Sequence, residues 1–433
     1  MRVALVVLDT LRKDSFDEFF DWLPGLRFEN AYSTSHWTVP AHASLFTGKY
    51  GSEIGVHSHH QTLDFDGTVL AEAASEKRYE TIGLSSNPFV SQRYGWERGF
   101  DSFVGPSTLQ SASEKGLDWD VFLRETDATG WKKYAEALQH CLSSDAPAAS
   151  IRQGIRMARG YDRADRSCEA VTKWVNEATF SEDTFLFINL IEAHTPYHPP
   201  NEYRVVDEPV FVDVRHILEE PSDPKQIRRA YRSNVRYLAD VYRDLFEALS
   251  EFDYVITVSD HGEMLGEHGM WNHVHGLYPE LTRVPLVISG EGIDRTRETS
   301  VNLHDVHRTV ADLAGLDVDS RGRNLLGDDL DSTRMFTEYR GLPLFSRNVL
   351  GELDVSQDVI DSYERNLYGV VGPLGYYGHR ELSGFTETGE ADGFDPEAAI
   401  DEFAEELGSL DRSESDQEVS EEVMTQLKKL GYA

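Results

Sequence analysis

Four stretches of this chain bring together hydroxyl, carboxylate and imidazole side chains in patterns that suit the binding and attack of an anionic ester. The apolar run Val3–Leu8 ends in Asp9. The run Phe185–Ile191 leads to Glu192 and His194, and Tyr254–Val258 leads through Ser259 to Asp260 and His261. Carboxylates and an imidazole converging at strand ends form the donor set of a site for one divalent cation. The fourth stretch is Thr34–Gly48. Within it Thr38 reads as a helix N-cap, Pro40 falls in the first turn, and Gly48 closes the helix. A hydroxyl at a helix N-terminus lies in positive potential beside free backbone N–H groups, which suits a nucleophile attacking a tetrahedral anion. Taken singly, each residue also fits an ordinary turn or cap. Their coincidence is what points to chemistry.

The elements needed to position these groups are legible nearby. The three apolar runs are short and rich in β-branched or aromatic residues, as buried strands of a parallel sheet are. In open α/β sheets the crevice at the carboxyl ends of the strands takes the ligand. After Ser222-Asp223-Pro224, a cap followed by Pro, Tyr231, Val235, Leu238, Tyr242, Leu245 and Leu249 recur at three- and four-residue steps, which predicts a long amphipathic helix. Strand and helix alternate, so the fold class expected is α/β, with a mixed, mostly parallel central sheet flanked by helices. Residues 106–180 show no strand and read as a helical insertion. Beyond about Asp331 the pattern changes. Met335–Tyr339 and Leu367–Val371 read as strands, and a polar stretch follows over Glu387–Asp416. The expected division is therefore a main α/β domain over 1–330 and a smaller C-terminal α+β region over 331–433.

The charge balance restricts the partners. The 433 residues include 76 Asp+Glu against 41 Lys+Arg, a formal net charge of −35. The excess is spread along the chain, as on a halophilic protein kept solvated by surface carboxylates. Such a surface argues against nucleic acid or an anionic membrane as partner. Only Cys141 and Cys168 occur, so no disulfide framework is implied. Asp9 ends the first apolar run too early for a signal-peptide core, and no run is long enough to span a bilayer. A cytoplasmic protein is the expectation.

Taken together the motifs resemble the sulfatase family of the alkaline-phosphatase superfamily. Val6-Val7-Leu8-Asp9-Thr10-Leu11-Arg12-Lys13-Asp14 is similar to the family's first metal-binding strand, and Thr38-Val39-Pro40-Ala41-His42-Ala43-Ser44-Leu45-Phe46-Thr47-Gly48 to its nucleophile segment. Glu192-Ala193-His194-Thr195-Pro196-Tyr197 resembles its His-x-Pro-Tyr element. Ser259-Asp260-His261-Gly262-Glu263-Met264-Leu265-Gly266-Glu267-His268-Gly269 is the most specific match. Val306–Leu316 and the closing Leu427–Tyr432 resemble family segments as well. The resemblance implies that Asp9, Asp260, His261 and Thr38 gather around one divalent ion (Mn²⁺, Zn²⁺, Ca²⁺ or Mg²⁺). Thr10 falls where many members carry a further acidic or amide ligand. His194 matches a substrate-binding histidine and candidate general acid, and His273 falls where many members carry a lysine. His42 replaces an arginine that supports the nucleophile. Two-metal relatives resemble a pattern with Asp-x-x-x-His shortly upstream of the Asp-His pair. That pattern is missing before Asp260, so one metal is expected.

Thr38 occupies the place of the cysteine that sulfatases oxidise to formylglycine, and neither cysteine lies in such a motif, so no formylglycine is expected. A formylglycine hydrate expels sulfate by an internal route, which a simple alcohol lacks. Phosphothreonine can be displaced by water or an acceptor alcohol. The expected activity is hydrolysis of sulfuric or phosphoric esters, with chemistry favouring phosphorus. The substrate is expected to be a small-molecule or glycan ester. Two alternatives use the same residues: transfer of a phosphoryl group to a glycan or other alcohol, and a non-catalytic binding protein of the same fold. Asn87, after the strand Thr81–Leu84, is a candidate for binding substrate oxygens or a turn former before Pro88. His57, with His59 and His60, either lines the cleft or is solvated. His268 either donates to the site or caps a loop, and His304-Asp305 are expected to cap a helix. Trp37 and Trp271 either shape the pocket or belong to the core.

Overall fold

In the computed structural model the described residues are 1–109, 167–327, 330, 334–353 and 355–408, with 117, 122, 126, 131–144, 146–148, 150, 151, 154 and 155 between them. The expected domain boundary at Asp331, much of the expected 106–180 insertion, residues 409–416 of the polar stretch and the closing Leu427–Tyr432 segment lie outside them. The described parts of the insertion include the helices Pro106–Leu109, Trp131–Ser143 and Ser167–Glu177.

The central sheet has eight strands: β1 (Arg2–Leu8), β2 (Leu26–Phe28), β3 (Glu80–Ser85), β4 (Ser102–Val104), β5 (Thr184–Leu190), β6 (Tyr254–Val258), β7 (Leu286–Gly290) and β8 (Arg295–Arg297). Their order across the sheet is β8-β2-β7-β6-β1-β5-β3-β4. Neighbours from β6 to β4 pair in parallel, and β7 runs antiparallel to both β6 and β2. The sheet is thus mixed and mostly parallel, as expected.

Alternation along β1 explains why it reads as one continuous apolar run. Val3, Leu5 and Val7 pack in one core layer, with Trp37, Val39, Ala41 and Val306. Ala4, Val6 and Leu8 pack in a second, on the opposite face, with Tyr231, Val235, Leu238 and Tyr242. Both faces are buried, so neither parity needs a polar residue. The first layer includes helix α1 (Thr38–Thr47), whose ten residues are all buried, and α4 (Leu303–Leu313). The second includes α2 (Ser167–Glu177) and the 25-residue α3 (Pro224–Ala248). Asp223 caps α3 by accepting from Gln226 N at 2.9 Å, with Pro224 in the first position.

A second, antiparallel sheet follows: β9 (Met335–Tyr339), β10 (Leu367–Val371), β11 (Tyr377–Glu381) and β12 (Gly384–Thr388), in that order, with helix α5 (Pro396–Gly408) against it. No helix among the described residues is long and apolar enough to cross a membrane.

Candidate active site

Strand register brings the polar strand ends to one level. Val7 pairs with Asn189 on one side and Val258 on the other, and Ser85 pairs with Asn189. The ladders extend past the strand ends through Asp9 N to Leu190 O at 2.9 Å and Ser86 N to Asn189 O at 3.0 Å. Asp9, Asn87, Asn189 and Asp260 are therefore carried by four adjacent strands, β1, β3, β5 and β6. Odd positions of β1 and β5 and even positions of β6 face α1. Asp9, Asn189 and Asp260 continue those parities toward the helix that carries Thr38.

Carboxylates fix the loop after β1. Thr10 has a left-handed backbone, with φ of 63°. Its Oγ1 donates to Asp9 Oδ1 at 2.8 Å and its N–H to Asp260 Oδ1 at 3.2 Å. Tyr231 of α3 closes the turn by donating to Thr10 O at 3.0 Å and accepting from Arg12 N at 2.9 Å. A non-glycine residue in this region carries strain, which these bonds offset. After His261 the chain needs Gly262, because a Cβ there would lie 2.0 Å from the Glu280 carbonyl oxygen.

Asp9, Asp260 and His261 form a buried trio whose ligand atoms all lie within 4.8 Å of one another. His261 Nδ1 donates to Gly262 O at 2.8 Å, which fixes the tautomer and turns the Nε2 lone pair toward the carboxylates. Nε2 is 3.5 Å from Asp260 Oδ2 and 3.9 Å from Asp9 Oδ1. Asp260 Oδ2 is buried with no hydrogen-bond partner among the described residues. Burial and the neighbouring Asp9 charge push the Asp260 carboxyl well above the usual carboxylate range. Burial works the same way on Asp9, but the His261, His194 and His42 rings when protonated, together with the Thr10 hydroxyl, more than offset it and hold Asp9 low. Two buried carboxylates and an imidazole lone pair, with one oxygen unsatisfied, fit a divalent cation.

Thr38 is the first residue of α1 rather than its cap. Trp37 takes the cap position with an extended backbone and no side-chain capping bond. The Thr38 hydroxyl is thereby left for the site. Its Oγ1 lies 3.3 Å from His261 Nε2 and 3.5 Å from Asn87 Nδ2. Asn87 also donates to Asp9 Oδ2 at 2.7 Å. His42, one turn along α1, donates from Nδ1 to Thr38 O at 2.9 Å and accepts at Nε2 from Asn189 Nδ2 at 2.8 Å. Both ring nitrogens are thus committed to a neutral tautomer, and burial lowers its pKa to about 4. Asn189 Nδ2 also reaches Asp9 Oδ2 at 3.4 Å.

His194 and His273 stand beside the trio. The His273 ring lies 4.7 Å from that of His261 and 5.0 Å from that of His194. His273 Nδ1 bonds Glu263 Oε1 at 3.1 Å, and Tyr197 donates to Glu263 Oε2 at 3.0 Å. His194 Nδ1 donates to Thr195 O.

Other expected residues lie elsewhere. His57 pairs with His60 through backbone bonds, and burial with the Arg340 charge lowers its pKa to about 3, so it is grouped with Arg340, His59 and His60 rather than with Thr38. Glu192 turns away from the trio and caps α2, accepting from Ser167 Oγ at 2.8 Å and Cys168 N at 2.5 Å. His268 stacks on Tyr278, 3.6 Å from Glu280. Asn302 caps α4, with Asp305 returning the bond to its N–H, and His304 lies in the first turn. Trp37 and Trp271 are buried in the two core layers. Asn189 and Glu263 escaped the reading from sequence. Asn189 is the single polar residue inside the apolar run Phe185–Ile191, and that was its signal.

The chain matches the sulfatase family over residues 15–316. It is 36% identical over 322 residues to a choline-sulfatase of Rhizobium meliloti, covering 68% of this chain and 61% of that protein. It is 27% identical over 303 residues to the low-salt glycan biosynthesis sulfotransferase Agl7 of Haloferax volcanii, covering 68% and 55%. The chain thus aligns with about three fifths of the length of these relatives. Among solved structures it is similar to the phosphonate monoester hydrolase of Agrobacterium radiobacter, with a TM-score of 0.60, 18% identity, and 94% and 95% of the two chains covered. That likeness shows a shared fold. With the family match spanning most of the chain and the expected motifs converging at one strand-end site, this protein is a member of the sulfatase family.

Proposed function

We propose that the protein is a metal-dependent hydrolase of esters whose reacting group carries one negative charge, with Thr38 as the nucleophile. The observation that carries this reading is the position of Thr38 Oγ1, at the start of α1 and 3.3 Å from His261 Nε2 in the buried Asp9–Asp260–His261 trio. Asp9, Asp260, His261 and Thr38 would hold the ion, and Thr10 supports Asp9 through its hydroxyl instead of acting as a ligand. A divalent ion there lowers the pKa of the hydroxyl and offsets charge on the ester oxygens.

The chain's own groups supply the rest. Asn87 Nδ2 orients Thr38 Oγ1 and Asp9 together. Thr38 Oγ1 attacks the phosphorus or sulfur, the Oγ1 bond forms, and the ester bond to the alcohol breaks. His194 and His273 hold Nδ1 against Thr195 and Glu263, so Nε2 is the atom that takes up the proton Thr38 loses and passes it to the departing oxygen. Water then attacks the transferred group, its bond to Oγ1 breaks, and one proton of that water returns to Oγ1.

Charge supports a monoanionic group. Among the described residues, the side-chain partners of Asp9, Thr38, His42, Asn87, Asn189, Asp260 and His261 include no lysine or arginine. One divalent ion with two carboxylates leaves nothing to balance a dianion. Phosphodiesters and phosphonate monoesters fit and can turn over from phosphothreonine. An aryl sulfate also fits, but its threonyl adduct lacks an internal route to release. The two cysteines, both free and buried, suit a reducing compartment such as the cytoplasm.

The test is a rate panel of p-nitrophenyl sulfate, bis(p-nitrophenyl) phosphate, p-nitrophenyl phenylphosphonate and p-nitrophenyl phosphate with Mn²⁺, Zn²⁺, Mg²⁺ and Ca²⁺. The diester and phosphonate are expected to turn over repeatedly. The sulfate should release no more than about one equivalent per site. Fastest turnover of the dianionic monoester would overturn the charge argument, and activity independent of every cation would overturn the metal.

A further inference from the structure

The C-terminal sheet grips the polypeptide on both sides of Thr38, and one buried carboxylate makes half of that grip. On the upstream side, the edge strand β9 bridges Ser35 in parallel through Glu338. Glu338 N donates to Thr34 O at 2.9 Å, and Ser35 Oγ donates to Glu338 O at 2.8 Å. Thr34 Oγ1 passes the contact on to α1 by donating to Ser44 Oγ at 2.8 Å. On the downstream side, the Glu338 side chain is 1% exposed and accepts from Ser52, at Oε1 from N at 3.0 Å and at Oε2 from Oγ at 2.5 Å. Phe336 N of the same strand donates to Tyr50 OH at 3.0 Å. Gly51 lies so close that a Cβ there would sit 3.0 Å from Pro40 Cβ, in the first turn of the Thr38 helix.

We infer that Glu338 is a positioning residue for Thr38, joining the segments before and after α1 so that the helix start is held against the Asp9–Asp260–His261 trio. The inference rests on the reading of Thr38 as nucleophile. It makes the C-terminal sheet part of the catalytic unit. The physical reason is that attack needs the hydroxyl within a few tenths of an ångström of its place, and a 1 Å shift arising far from the chemistry costs about 100-fold. A buried carboxylate with two donors from one residue has a single arrangement, and it locks Ser52 rigidly to β9.

The experiment compares Glu338→Ala, Glu338→Gln, Ser52→Ala and Thr38→Ala in the full chain, with bis(p-nitrophenyl) phosphate as substrate, and follows thermal melting and bound metal in parallel. Glu338→Ala is expected to lower kcat at least about 10-fold with KM and bound metal unchanged. Glu338→Gln keeps an acceptor for Ser52 N, and the Ser52 hydroxyl can turn to accept from its amide, so kcat should recover to within about 3-fold of the parent. Ser52→Ala should fall between the two. A parent-like kcat in Glu338→Ala, even with a lower melting temperature, overturns positioning and leaves a purely structural role. A Glu338→Gln variant as impaired as Glu338→Ala overturns it too, since charge and not geometry would then matter. Should Glu338→Ala fail to fold, a parent-like kcat in Ser52→Ala overturns the inference. Thr38→Ala separates the premises: if it is fully active the nucleophile reading fails, whereas an inactive Thr38→Ala beside a parent-like Glu338→Ala defeats positioning alone.

Discussion

Substituting Asp260→Asn should stabilise this protein in the absence of a divalent cation and remove most of the stabilisation that a cation brings. Asp260 Oδ1 accepts from Thr10 N and His261 N, while Oδ2 has no hydrogen-bond partner among the described residues. The amide keeps the first set of bonds and replaces the second oxygen by an N–H₂ group that faces the His261 Nε2 lone pair 3.5 Å away. Relieving an unsatisfied buried acceptor contributes about 1–3 kcal/mol. An unfolding entropy of about 2.1 cal/mol/K per residue over 433 residues gives about 0.9 kcal/mol per kelvin. In EDTA the variant should therefore melt about 1–3 °C above the parent. A cation at 100 times its Kd stabilises the parent by about 2.7 kcal/mol, or about 3 °C. The variant, with one of its carboxylates gone, should shift by less than about 1 °C. Calorimetric scans of both proteins at fixed salt, in EDTA and in each of Mn²⁺, Zn²⁺, Mg²⁺ and Ca²⁺, read this out. A parent that melts at one temperature throughout, or a variant that keeps the whole shift, would refute an ion seated on these three residues.

Other variants separate the roles assigned above. Asn87→Ala should lower kcat about 10–100-fold, because the amide that links Asp9 Oδ2 to Thr38 Oγ1 is lost; steady-state rates beside a melting curve check this. Asn189→Ala leaves His42 Nε2 without its donor in a buried site and should cost about 1–3 kcal/mol in chemical denaturation. Glu192→Ala removes the cap of α2 and should cost about 1–2 kcal/mol while bound metal and kcat stay at parent values, since Glu192 is a structural residue in spite of its place at a strand end. Loss of metal in that variant would return Glu192 to the site.

Much of this architecture was legible because it rests on local patterns. Runs with both faces buried read as uninterrupted apolar strands, so Val3–Leu8, Phe185–Ile191 and Tyr254–Val258 could be placed in a parallel sheet whose carboxyl ends carry the candidate site. The Asp223-Pro224 cap and the spacing after it identified α3. What stayed hidden depends on pairing across the sheet and on the direction of side chains. Glu192 and His194 follow the same strand, and only the fold shows one turning back to cap α2 while the other joins the cluster. Asn189 looks like an interruption in an apolar run until register sets it beside Asp9. Thr38 carries every mark of an N-cap, and the cap fell one residue earlier because its hydroxyl is directed at His261 and Asn87. Three histidines close in sequence, His57, His59 and His60, fitted either a cleft or a solvated loop, and the fold gives them as charged neighbours Arg340, Glu364 and Asp64 respectively. The Ser35–Glu338 bridge joins segments about three hundred residues apart, beyond the reach of any local pattern.

The central claim is that Thr38 takes the transferred group onto its own hydroxyl. The most direct measurement is peptide mass spectrometry after rapid acid quench, with the metal-loaded protein mixed with p-nitrophenyl sulfate in one sample and p-nitrophenyl phenylphosphonate in another. The account predicts a sulfuryl or phosphonyl adduct on the peptide holding Thr38, formed at the rate of the first p-nitrophenol release, long-lived for the sulfate and absent from Thr38→Ala. Turnover with no adduct, or an adduct on any other residue, would contradict it.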